Sequence, residues 1–107
     1  MSDLPDAEAA ATMADVRAGI DEVDRALVDL LARRMRFIER AAAIKPDRAL
    51  VRDEWRKADV LQKVVAEAER LNFPPALAAQ LWEVLVEGSI AHEFSVFDAR
   101  VSPSAGA

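Results

Sequence analysis

Four charged residues interrupt a stripe that a long helix normally keeps apolar. From Val16 to Lys45 the chain runs without a proline, and a seven-residue repeat can be traced through it. Ile20, Leu27 and Ala41 lie on one line of that repeat, Leu31 and Ile38 on the other. Arg17, Asp24, Arg34 and Lys45 occupy the same two lines. An unpaired buried charge is costly, so three cations and one anion on a packing face point to an anionic molecule seated there. Arg34 and Lys45 share one helix face three turns apart, spaced to bracket a small molecule rather than to meet.

Two further groups extend the set. Arg52, Asp53, Arg56 and Lys57 open a second helical pattern, with Asp53 and Lys57 spaced for an i,i+4 salt bridge in solvent. Ser89 and Glu93 fall one turn apart on a face shared with Trp82 and Val86. Guanidinium and ammonium groups of this number suit a small dicarboxylate, because Arg engages carboxylates bidentately. The sequence offers no nucleophile paired with a base, no phosphate loop and no metal-ligand cluster. Catalysis by these residues would rest on positioning and fixed electrostatics, with no cofactor and no metal. Taken singly, each charge has an ordinary role: a seam Arg and a seam Asp can set the register of a helical dimer. His92 reads as a surface or interface residue, and Trp55 and Trp82 as core.

Composition narrows the field. The chain has 107 residues, 52% of them hydrophobic, few glycines and no cysteine, which favours one all-α domain and excludes disulfides. A net charge of −5 argues against nucleic acid as the main partner. The acidic, Ala-rich start is unlike a signal peptide, and no apolar run approaches a membrane span, so a soluble cytoplasmic protein is expected.

The elements that must hold these residues are three helices. Residues 1–12 are expected to be disordered or frayed, 13–98 to form the helical domain, and 99–107 to be a tail. The first helix should run from Met13 or Asp15 to Ile44 or Lys45, where Pro46 stops it. At roughly 45 Å it would exceed the ~26 Å diameter expected of a compact domain this size. Much of its stripe would then need cover from another chain, and a homodimer is expected. The second helix spans about Arg52 to Leu71, with Leu61, Val64, Val65, Ala68 and Leu71 inward. The third spans about Pro75 to Phe97, with Leu77, Leu81, Trp82, Leu85, Val86 and Ile90 inward.

These residues resemble the all-helical (AroQ-type) chorismate mutases and the related isochorismate pyruvate lyases. The landmarks are R-x-x-I-D-x-x-D (Arg17, Ile20, Asp21, Asp24), L-L-A-R-R reaching Arg34, and I-K at Ile44-Lys45. V-R-D-x-x-R from Val51 to Arg56 and E-x-S-I-x-x-E from Glu87 to Glu93 complete them. The resemblance implies the chorismate mutase II fold, an intertwined homodimer of three-helix protomers with composite active sites. It implies a pericyclic conversion of chorismate to prephenate in aromatic amino-acid biosynthesis, on the shikimate pathway. Each site would take Arg17 from one chain and the other residues from its partner. Arg34 and Arg17 would clamp carboxylates, and Lys45 would touch a carboxylate and the ether oxygen. Asp53 would meet the ring hydroxyl, Arg56 would support it, and Ser89 would sit beside a carboxylate. Lys45, Glu93 and Arg34 are the expected catalytic residues.

Two positions depart from the family pattern. Lys57 stands where bacterial mutases carry a Glu for the ring hydroxyl, which leaves Asp53 as acceptor. Glu93 stands where many members carry a Gln that donates to the ether oxygen, a task only a protonated Glu can perform. Three readings follow: a monofunctional mutase, favoured by V-R-D-x-x-R and Ser89; an isochorismate pyruvate lyase forming salicylate, favoured by Arg33–Met35 and Lys57; and a non-catalytic helical dimer.

Overall fold

A computed structural model describes residues 4–101. Its helices are α1 (Met13–Ile44), α2 (Glu54–Arg70) and α3 (Pro75–Val101), with 3-10 turns at Ala7–Ala9 and Arg48–Leu50. Among the described residues there is no strand, and the chain is all-helical with a long first helix.

Each boundary has a local cause. At the start of α1, Thr12 Oγ1 accepts from the Asp15 amide (3.1 Å), while the Asp15 carboxylate accepts from the Ala11 and Thr12 amides (3.0 and 3.2 Å). This reciprocal cap satisfies donors that a helix start leaves unpaired. The two backbone bonds also hold the Asp15 carboxyl below its ordinary value. At the other end Pro46 disfavours helical geometry for Lys45, and α1 stops at Ile44. Asp53 caps α2 by accepting from the Arg56 amide at 3.0 Å. The exit from α2 places Asn72 in the left-handed region (φ 58). There the Phe73 amide donates to Ala68 O (2.9 Å) and the Asn72 amide to Glu69 O (3.3 Å), the paired bonds of a Schellman turn.

The backbone divides into two compact units, Met1–Arg36 and Phe37–Ala107, with the boundary inside α1. In the first, the segment before α1 carries the Ala7–Ala9 turn, and Pro5 lies so close to α1 that a Cβ on Gly19 would sit 3.7 Å from its Cγ. Residues 4–12 are therefore structured rather than frayed, and 1–3 and 102–107 lie outside the described residues. Val16, Ile20, Val23, Leu27, Leu30 and Leu31 of α1 are exposed; Ile20 and Leu27 each show about half of their surface (53% and 51%).

In the second unit α2 packs on α3. Ala42, Val51 and Phe97 form its buried cluster, with Ile90, Phe94 and Val96 against it. The buried face of α3 is Ala78, Val86, Ser89, Glu93 and Phe97, while Leu77 and Leu81 are exposed. Apolar side chains surround α3, so periodicity did not reveal which face would turn inward. Trp55, expected in the core, is 76% exposed in the first turn of α2, and Trp82 is half-buried. α3 also continues to Val101, into the segment read as a tail.

The left-handed Asn72 yields a direct test. Asn72→Ala should lower the unfolding free energy by roughly 1 kcal/mol in urea titration, whereas Asn72→Gly should not. An unchanged midpoint for Ala would show that the turn bears no strain.

Candidate active site

Among the described residues the most deeply buried charge is Glu93, with 4% of its surface exposed. Its Oε2 lies 2.6 Å from Lys45 Nζ. A carboxylate so far from water requires a cation or a proton, and Lys45 supplies the cation. The sequence permits this because Pro46 ends α1 at Ile44, so Lys45 leaves the helix end and reaches Glu93 of α3. Ser89, one turn before Glu93, is also buried and donates its Oγ–H to Leu85 O at 2.7 Å. That i−4 bond orients the hydroxyl.

Asp53 and Arg56 meet through the cap of α2, using one Asp53 oxygen (Oδ1). The Arg56 guanidinium turns along α2 to Asp59 (2.7 Å), which also receives Lys63 (3.0 Å). The Asp53–Lys57 pair expected from spacing is replaced by another arrangement. Asp53 faces its own helix start, and Lys57 reaches α3, bonding Glu83 (2.8 Å) and Glu87 (2.7 Å). Arg52 joins the same carboxylate, with Nη2 2.6 Å from Glu87 Oε1, and also meets Glu54 (2.9 Å). Hydrogen bonds from Arg52 and then Lys57 hold the Glu87 carboxyl at about 2, well below its ordinary value. Glu83 and Glu87 were not among the expected residues, although their i,i+4 spacing opposite a basic helix start was visible.

Arg34 is half-buried in the first unit, and Arg17 is exposed on α1 there. Lys45, Asp53, Arg56, Ser89 and Glu93 belong to the second unit. His92 is tied to Glu39, with Nε2 2.8 Å from Oε2. A recess of about 430 Å³ in the first unit is lined by Pro5, Val16, Gly19 and Val23 together with the acids Asp15 and Asp24. It contains no basic side chain, so a dicarboxylate would be repelled there rather than held.

Three helices and a buried Lys–Glu pair characterise this all-helical chain. The chorismate mutase type II family model matches residues 16–94, well over half the chain. The chain belongs to the chorismate mutase type II family. No match was found among curated proteins or among solved structures.

The Glu87 lattice makes a pH prediction. A carboxyl lowered by folding contributes stability that is present above its unfolded value, near 4.5, and lost as pH falls toward about 2. Thermal melts across that window should show a shallower acid decline for Glu87→Gln than for the wild type. Parallel declines would show that the lattice contributes nothing to acid stability.

Proposed function

We propose that the protein is a chorismate mutase that converts chorismate to prephenate without a covalent intermediate or cofactor. Family membership supports this reading, and the buried Lys45–Glu93 pair is the observation that carries it. The rearrangement breaks a C–O bond and forms a C–C bond within one molecule, so the protein's task is to hold the reactive conformer. Negative charge grows on the ether oxygen as the C–O bond breaks. A cation or donor aimed at that oxygen lowers the barrier because the charge develops only in the transition state.

In this reading Lys45 meets a substrate carboxylate and the ether oxygen, and Arg34 clamps a carboxylate. Arg17 comes from a second copy of the chain. The exposed stripe from Val16 to Leu31 supports such a dimer, since apolar area of that extent on one helix is ordinarily covered. Asp53 has its second carboxylate oxygen for the ring hydroxyl, Arg56 supports it, and Ser89 sits beside a substrate carboxylate. Glu93 serves as a donor in its protonated form, once the substrate competes for the Lys45 ammonium. No helix among the described residues is long and apolar enough to cross a membrane, and the proposed place of action is the cytoplasm, in aromatic amino-acid biosynthesis.

Lys57 favours a second reading. Its ammonium stands where mutases carry a carboxylate and is engaged by Glu83 and Glu87. A pocket lacking that acceptor also suits isochorismate, from which elimination releases pyruvate and leaves salicylate.

Incubation with chorismate and separately with isochorismate, with products identified by mass detection, tests both readings. Prephenate from chorismate is expected; salicylate and pyruvate from isochorismate alone would establish the lyase. In the active enzyme, Glu93→Gln should keep turnover by supplying a permanent donor, whereas Glu93→Leu should lower it by roughly tenfold or more. Loss of turnover in Glu93→Gln equal to that in Glu93→Leu would remove Glu93 from the donor role.

A further inference from the structure

Lys45 is the first residue beyond α1, with Pro46 behind it, so its carbonyl has no following helical turn to satisfy it. Arg100, in the last turn of α3, donates from Nη2 to that carbonyl at 2.7 Å. Seven residues earlier on the same face of α3, Glu93 holds the Lys45 ammonium. One helix therefore grips Lys45 at both its side chain and its backbone.

The grip is itself anchored. The Arg100 guanidinium lies 4.7 Å from the centroid of the Phe97 ring, and Phe97 is buried against Ala42 and Val51. Arg48, three residues beyond Lys45, donates to both oxygens of Asp98 (2.8 and 3.3 Å) and lies 4.4 Å from the Phe94 ring centroid. The last two turns of α3 thus hold the loop between Lys45 and the Asp53 cap at two points. Asp98 and Arg100 lie beyond residues 16–94, so the family match assigns them no role.

We propose that Arg100, assisted by Asp98, is a positioning residue that fixes the Lys45 loop and so keeps the ammonium aimed at the reacting atoms. The inference rests on the reading of Lys45 as catalytic. Exposed polar contacts of this kind add little to global stability, so their effect falls on geometry, where a displacement of about 1 Å is enough to slow a reaction severely.

The test compares wild type, Arg100→Ala, Arg100→Lys and Asp98→Asn by steady-state kinetics and amide hydrogen exchange. Arg100→Ala should lower kcat by roughly tenfold while KM changes by less than about twofold. Exchange at the Lys45, Leu50 and Val51 amides should quicken by about fivefold or more with α2 unaffected. Asp98→Asn should act in the same direction, more weakly, and Arg100→Lys should recover much of the rate by restoring one donor. Unchanged exchange in the loop overturns the proposal, as does an unchanged kcat or acceleration spread through α2. If the wild type converts neither chorismate nor isochorismate, the catalytic reading fails, and the exchange measurement alone decides whether Arg100 holds the loop.

Discussion

A carboxylate inside a small helical core has to be neutralised, and Glu93 is neutralised by Lys45 at 2.6 Å. Removing one partner of such a pair typically costs about 3–5 kcal/mol, because the other charge stays buried. The surrounding unit is arranged around that requirement. Pro46 ends α1 where Lys45 can reach α3, Val51 and Phe97 bury the loop that follows, and Asp53 starts α2 a short distance on. In the proposed function the same pair that constrains folding would offer its ammonium to a substrate carboxylate and a developing oxyanion. Stability and chemistry draw on one interaction.

Charge elsewhere follows a different rule. Arg52 and Lys57 are bound to Glu83 and Glu87 in partly exposed positions, where each contact is weak and the set fixes the α2 start against α3. This commits the Lys57 ammonium to the protein itself.

Much of this was legible in the sequence where causes are local. The start of α1 near Met13 and its stop before Pro46 were readable within a residue or two, and the charged seam set Lys45 apart from the apolar stripe. Glu93 was visible as a carboxylate at the edge of an apolar face. What escaped depends on contacts between distant residues. Trp55 looks like core by residue type but sits on the outer side of α2. Leu77 and Leu81 yielded the buried face to Ala78 and Ser89, because α3 is apolar all round. Asp53 turned to its helix start, leaving Lys57 to acids 26 and 30 residues away. Arg48 and Asp98, 50 residues apart, share no spacing signal at all.

In the proposed function Lys45 acts in a site completed by Arg17 of a second chain. Arg17→Ala and Lys45→Ala variants, each reduced by roughly 100-fold or more on its own, can be unfolded together and refolded as a mixture. In a composite arrangement every mixed dimer regains one intact site, so the refolded mixture should recover about a quarter of wild-type turnover. Activity no higher than the average of the two variants would place Arg17 and Lys45 in the same chain's site, or in no common site, and would contradict the account.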